Sequence, residues 1–279
     1  MPTLSFTRGA VTVVADDHGR PEDPAVVLLH GFPDTADLWR FQVPKLVNAG
    51  FRVLVPDQRG YGRSGKPEET SAYAVSELVM DVAGLLDAAG VESAHIVGHD
   101  WGANIAWAFA TFFPGRTQSL AAFSVGHPTA FASVGAAQQI KIWYTLLFQF
   151  EGVAEEWLTK DDGANFRGWF GHPEASRVLG HLERDGSLRT GIHWYRANLK
   201  PEQWNAPPPE LPPVQCRTLG VWSTLDHALT EEQMVNSAAY VDAPFTYRVV
   251  EGAGHWLPVE RPDEVSQLLL EFLGSPDGA

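Results

Sequence analysis

Four short apolar runs recur along the first half of the chain: AVVLLHG (25–31), FRVLVPD (51–57), AHIVGHD (94–100) and SLAAFSVGHP (119–128). Runs of this length without polar alternation predict strands buried on both faces. Between them, VSELVMDVAGLLDAAG (75–90) carries amphipathic helical spacing with Gly90 past its end, and WGANIAWAFATFF (101–113) predicts a helix halted before Pro114. DTADLWRFQVPKLVNAG (34–50) predicts another helix, kinked at Pro44 and stopped by Gly50. Weak alternation from Thr3 to Arg8 and from Ala10 to Ala15 predicts two antiparallel strands at the start. Strand and helix taking turns in this way confine the chain to one fold class, α/β, with a mostly parallel central sheet flanked by helices.

The rhythm breaks between about 129 and 206. That stretch is helical and aromatic, with IKIWYTLLFQF, VAEEWL, GWFG and IHWYRANL, and NAPPPELPPV (205–214) then supplies a stiff proline-rich connector. Afterwards the alternation resumes with CRTLGVWSTLD (216–226), a helix near 230–240, FTYRVVEGAGH (245–255) and VSQLLLEFLG (265–274). The expected organisation is a core of residues 1–128 and 214–279, with a helical cap of residues 129–213 inserted between the fourth and fifth parallel strands. An insertion there falls at the carboxyl ends of the strands, where open α/β sheets bind ligands, and would make a lid.

Charge narrows the partners. The formal charge of −14 repels phosphate backbones and anionic membranes, so neither nucleic acid nor a membrane surface is expected as a partner. The N-terminus lacks a basic region followed by a long apolar stretch, which predicts no secretory signal, and no apolar run is long enough to predict a membrane span. A lone Cys216, in an expected strand, reads as a buried inert thiol and suits the reducing cytoplasm.

One motif misleads. Gly60-Tyr61-Gly62-Arg63-Ser64-Gly65 satisfies G-x-G-x-x-G after a strand, but a dinucleotide requires those glycines to open a helix. Here the polar KPEETSAY with Pro67 follows, and no strand-terminal acid lies about 20 residues on. A glycine-rich loop beside the site is the better reading, and no cofactor or metal is expected.

The chemistry centres on IVGHDWGA (96–103), where Asp100 stands at a strand-to-helix corner between Gly98 and Gly102. Taken alone, an aspartate there is a good helix cap. Glycines two residues to either side, with Ala103, instead suit a strained elbow that presents a nucleophile. Asp226 and His255 follow at the ends of two later strands, in the order nucleophile, acid, base, with Asp242 as a fallback acid. A parallel sheet would bring all three to one edge. His30-Gly31-Phe32-Pro33 ends the first buried strand, so the backbone N–H groups of Phe32 and Trp101 are the expected oxyanion hole.

A carboxylate does there what a serine cannot. Attack by serine on a saturated carbon leaves an ether, which no oxyanion hole helps to hydrolyse. Attack by Asp100 leaves an ester whose carbonyl belongs to the protein. Water activated by His255, itself oriented by Asp226, can then cleave that ester. The set points to opening of C–O or C–halogen bonds.

HGFP (30–33), DQRGYGRS (57–64), GHDWGA (98–103), LD (225–226) and GHW (254–256) resemble the soluble epoxide hydrolases of the α/β-hydrolase superfamily across nearly the whole chain. The resemblance implies the α/β-hydrolase fold, a small hydrophobic epoxide as substrate, and two lid tyrosines on the epoxide oxygen. Tyr144 and Tyr195 are the two tyrosines of the insertion, and their contexts are similar to the family's tyrosine-bearing segments. For Tyr144, core packing is an alternative, since Ile140, Trp143, Leu147 and Phe148 share its helical spacing. Trp143, Phe148, Phe166 and Trp169 suggest a hydrophobic ligand. Phe32 and Trp101 would also contact substrate, and a homodimer is an open expectation, since the sequence does not give the oligomeric state.

Related dehalogenases share pieces of these motifs, and an indole N–H at Trp101 could bind halide. Haloalkane dehalogenases, however, often carry asparagine at the place of Phe32, and fluoroacetate dehalogenases commonly place arginine at that of Trp101. The sequence therefore predicts a cofactor-independent epoxide hydrolase forming a vicinal diol. Hydrolytic dehalogenation by the same aspartate and a catalytically silent binding scaffold stand as alternatives.

Overall fold

In the computed structural model, which describes residues 3–274, the chain opens with β1 (Thr3–Arg8) and β2 (Val11–His18), paired antiparallel. Next come β3 (Ala25–Leu29), α1 (Gln42–Asn48), β4 (Arg52–Asp57), α2 (Val75–Ala89), β5 (Ala94–His99), α3 (Trp101–Phe112) and β6 (Thr117–Phe123). Every residue of β3, β4 and β5 is buried, as their unalternating apolar runs require. Gly90 ends α2 in the left-handed conformation.

The segment before β4 departs from the expected kinked helix. It breaks into a short 3₁₀ turn, Ala36–Trp39, and then α1, which begins two residues before Pro44. A proline in the first turn lacks only an N–H that has no helical partner there, so it starts this helix instead of bending one.

Between β6 and the next strand lie α4 (Pro128–Ser133), α5 (Ala136–Lys141), α6 (Tyr144–Leu147), α7 (Val153–Phe170, broken by non-helical backbone at residues 160–163), α8 (Ala175–Asp185) and α9 (Ser187–Asn198). The chain then returns through β7 (Thr218–Ser223), α10 (Glu231–Val235), β8 (Phe245–Val250), α11 (Leu257–Glu260) and α12 (Pro262–Gly274). Cys216 lies two residues ahead of β7, half-buried instead of within the strand, and burial pushes its thiol up to about 11.

The sheet order is β1-β2-β4-β3-β5-β6-β7-β8, parallel from β4 to β8. Alternate side chains of β3 serve opposite layers. Val26 and Leu28 pack with Leu46 of α1 and Leu269 of α12, while Val27 and Leu29 pack with Leu86 of α2 and Trp107 of α3. Each such side chain contributes about 1.5–3 kcal/mol relative to exposure, so a one-residue slip of this strand would be costly on both faces at once.

The glycine-rich loop seats a helix from the insertion. Trp194 Nε1 of α9 donates to the Arg59 carbonyl at 3.1 Å, and Thr190 Oγ1 donates to the Gly60 carbonyl at 2.5 Å. No helix opens on this loop; the next helical turn begins at Thr70. The backbone at Gly191 runs so close to the core that a Cβ there would stand 2.8 Å from Tyr61 Oη and 2.9 Å from the Phe32 ring. The loop is thus a landing for α9, and dinucleotide geometry is excluded.

Candidate active site

Parallel pairing sets Gly98 of β5 opposite Leu29 of β3 and Ala122 of β6, so the loops after these strands open on one edge. Asp100 follows β5 with φ 55° and ψ −124°, a conformation costing on the order of 1–3 kcal/mol for a residue with a side chain. Its tolerance depends on the neighbouring glycines. A Cβ on Gly98 would lie 2.1 Å from the Gly102 carbonyl oxygen, and one on Gly102 would lie 2.1 Å from that of Leu29.

Asp100 stands at the N-cap position of α3, yet its side chain caps nothing. Oδ1 instead accepts the Phe32 N–H at 2.9 Å, across 68 residues of sequence. The Trp101 amide flanks the same spot: a Cβ on Gly31 would stand 2.2 Å from Asp100 Oδ1 and 2.7 Å from Trp101 N. Of the two expected amides, Phe32 is the one hydrogen-bonded to the carboxylate in this state. An oxyanion hole is aimed at the oxygen of a later tetrahedral species, so an incomplete set around a planar carboxylate is compatible with that use.

His255 and Asp226 arrive from the ends of β8 and β7. The His255 Nδ1–H donates to Asp226 Oδ2 at 2.8 Å, and Nε2 faces Asp100 Oδ2 at 3.5 Å. Asp226 Oδ1 accepts the N–H groups of Ala228 and Leu229 at 2.8 and 2.9 Å, leaving that carboxylate little freedom to turn. Glu260 grips the turn around His255 by accepting the N–H groups of Gly254 and Trp256. The fallback acid, Asp242, is exposed and accepts a bond from Gln215, so it takes no part in this cluster.

Burial alone would lower the His255 pKa, but Asp226 first, then Asp100, outweigh it and raise it to about 10. Burial would raise the Asp226 pKa; the charge and hydrogen bond of His255 overcome this and hold it below the ordinary carboxylate value. Both shifts favour the charged forms of His255 and Asp226 in the folded protein.

Tyr144 of α6 and Tyr195 of α9 are both buried and line a cavity of about 500 Å³ together with Asp100 and Trp101. Their ring centroids are 5.9 Å apart, and Tyr195 lies edge-on to Trp101 at 5.2 Å and to Phe32 at 5.6 Å. Burial, followed by the charges of nearby groups including Asp100, raises both phenol pKa values, so both carry their protons. The helical face proposed around Tyr144 is only partly a core face: Tyr144 and Phe148 are buried, while Ile140 and Trp143 are 72% and 45% exposed. Trp143, Phe148, Phe166 and Trp169 do not line the cavity; its apolar wall is built from Val125, Phe131, Ile142, Leu199, Trp204 and Leu229.

Four supporting residues escaped the sequence reading. His99 is fully buried, its Nε2–H donates to the His255 carbonyl at 2.9 Å, and Ser124 Oγ donates to the same oxygen at 3.1 Å. Asp34, buried beside Phe32, stands 3.4 Å from His172 Nε2 of the insertion. His99 had the signal of adjacency to Asp100; nothing local links residues 34 and 172. Among the described residues, no three His, Cys, Asp or Glu side chains converge as a metal site, and no helix is long and apolar enough to cross a membrane.

Comparison with known proteins identifies the family. Residues 24–262 match the α/β-hydrolase fold family. The chain is 33% identical to epoxide hydrolase A of Mycobacterium tuberculosis, over 91% of this chain and 92% of the relative. It is equally identical, with the same coverage, to the α/β-hydrolase superfamily protein YfhM of Bacillus subtilis. Among solved structures, the Bacillus megaterium epoxide hydrolase with a bound inhibitor superposes with a TM-score of 0.87, at 26% identity, covering 97% of this chain and 100% of that one. Epoxide hydrolase A of Mycobacterium thermoresistibile gives a TM-score of 0.80 at 29% identity, with 98% of each chain covered. The chain belongs to the soluble epoxide hydrolase family of the α/β-hydrolase superfamily.

Proposed function

We propose that the protein is a cofactor-independent epoxide hydrolase in which residues 129–213 act as a lid on the core of residues 1–128 and 214–279. Asp100 Oδ2 attacks an oxirane carbon while the C–O bond opens, and Tyr144 or Tyr195 gives its proton to the leaving alkoxide. An alkoxide leaves poorly without an acid, whereas a halide needs none. Two protonated phenols on the cavity of Asp100 therefore favour epoxide opening over dehalogenation.

The ester removes the Asp100 charge, and with it part of what holds the proton on His255. The proton released by the imidazolium offsets the one lost by the tyrosine, through solvent, and leaves a neutral base. Water deprotonated by His255 Nε2 attacks the Asp100 carboxyl carbon. Charge then develops on Oδ1 beside the Phe32 and Trp101 amides, and collapse releases a vicinal diol. Asp226 holds the imidazole and stabilises its charged form throughout.

The observation that carries this reading is the division of Asp100: one oxygen held by the Phe32 amide, the other turned to His255 within reach of the tyrosine-lined cavity. The apolar wall supports a small hydrophobic epoxide as substrate. A single Cys216 supports a cytoplasmic setting, and a homodimer through the exposed Ile140, Trp143, Phe150 and Val153 is compatible with the surface. A single turnover in heavy-oxygen water tests the covalent route. Label is expected in the Asp100 carboxyl group and absent from the first diol released; label directly in that diol would end the proposal.

A further inference from the structure

The two tyrosines stand on separate segments that nothing local holds in register. Tyr144 begins a helix of only four residues, too short to fix its own position. Tyr195 lies on α9, which is seated on the core by Trp194 and Thr190. Two side chains, Arg196 and Gln149, join these segments by hydrogen bonds. Arg196, 7% exposed, donates Nε–H to the Phe148 carbonyl at 2.8 Å and its two terminal nitrogens to Glu155 at 2.8 and 3.0 Å. Phe148 closes the turn opened by Tyr144, its N–H donating to the Tyr144 carbonyl at 2.9 Å, and its ring lies against both tyrosines, at 5.4 and 4.9 Å. Gln149 Nε2 meets the Thr145 carbonyl at 2.9 Å, that of Leu199 at 3.2 Å and that of Tyr195 at 3.5 Å.

We propose that Arg196 and Gln149 are positioning residues for ester formation: they tie the Tyr144 segment to the Tyr195 segment and so set how the two hydroxyls meet one epoxide oxygen. This rests on the reading of both tyrosines as donors to that oxygen. Glu155 completes the device by neutralising the buried guanidinium and accepting it in the bidentate form that only arginine supplies. Gln149 bonds carbonyl oxygens in both tyrosine segments through one amide nitrogen, a role open to a donor and closed to an apolar side chain of equal size. The hydrolysis step uses His255, Asp226 and the Phe32 amide, all of them core residues, and is independent of the tie.

The test separates the two half-reactions by rapid-quench mass measurement of the Asp100 ester in Arg196→Lys and Gln149→Met. Ester formation is expected to slow on the order of tenfold to a hundredfold, as misplacement by about 1 Å does, while hydrolysis of the ester keeps its rate. In a double-mutant cycle with Tyr195→Phe, Arg196→Lys is expected to add less than its separate effect, because one of the groups it aligns is gone. Equal slowing of both half-reactions, or fully additive effects, would make the tie a matter of stability and overturn the inference. If Arg196→Lys does not fold, Gln149→Met, which loses only neutral hydrogen bonds, carries the same comparison. Normal ester formation in both Tyr144→Phe and Tyr195→Phe would defeat the tyrosine reading and this inference with it. Slowing in those variants alone, with Arg196→Lys and Gln149→Met unaffected, defeats this inference only.

Discussion

The His255 ring is bonded to Asp226 Oδ2 through Nδ1 at 2.8 Å but only faces Asp100 Oδ2 through Nε2, at 3.5 Å. The longer separation leaves Asp100 Oδ2 able to turn toward an incoming carbon, while the shorter one keeps the ring in place.

That asymmetry predicts the effect of Asp226→Asn. Removing the larger of the two charges that raise the His255 pKa lets burial reassert itself, so the imidazole is expected to titrate well below about 10. Nitrogen-detected NMR of His255 reads this directly, and an unchanged titration would show that Asp226 is not the cause. The same shift governs stability. A histidine whose pKa rises on folding from 6.5 to about 10 stabilises the native state fully below pH 6.5, and the contribution fades as pH climbs toward 10. Urea unfolding of the wild type should therefore lose stability across that alkaline window, and Asp226→Asn should flatten the loss.

In the proposed mechanism, replacing His255 with Gln removes the base assigned to ester hydrolysis and leaves Asp100 in place. Exposure to an epoxide substrate is expected to add the substrate's mass to the peptide carrying Asp100. A peptide of unchanged mass, from protein shown to bind that substrate, would argue that no covalent step occurs.

Tyr144→Phe and Tyr195→Phe together keep the rings that pack against Phe148 and remove the two hydroxyls proposed as acids. Ester formation from an epoxide is expected to fall at least about a hundredfold, the range of a lost general acid. Diol formation at the wild-type rate would refute the lid assignment.

Glycine at position 102 is a steric requirement, since a Cβ there meets the Leu29 and His30 carbonyl oxygens at 2.1 and 2.7 Å. Backbone atoms cannot swing aside, so Gly102→Ala is expected to cost about 3 kcal/mol in denaturant unfolding. Gly115→Ala, where nothing lies within 4 Å, serves as the control and should stay within about 0.5 kcal/mol of wild type.

Much of this arrangement was legible from local pattern. The apolar runs at 25–31, 51–57 and 94–100 became the buried β3, β4 and β5, and the break in rhythm after 128 coincides with the helical segments α4–α9. Asp100, Asp226 and His255 sit where strands end, and a parallel sheet collects such ends at one edge. Less was legible where short-range cues compete. Pro44 read as a kink and is a helix start, because a proline's effect depends on which turn it occupies. Trp143, Phe148, Phe166 and Trp169 suggested a hydrophobic ligand without saying which of them line a cavity, and none of them does.

The sequence alone determined most of the elements, that the sheet is mostly parallel and where a strand turns sharply into a helix, because period and glycine spacing report how each segment's own backbone is buried. Only the tertiary structure decided what the corner aspartate bonds to, which acid meets His255, and that Tyr144 faces a cavity. Those are contacts between residues dozens of positions apart, as in the 68-residue separation between Phe32 and Asp100. No local pattern encodes such neighbours, since which of several compatible side chains meet is set by how whole layers pack against one another.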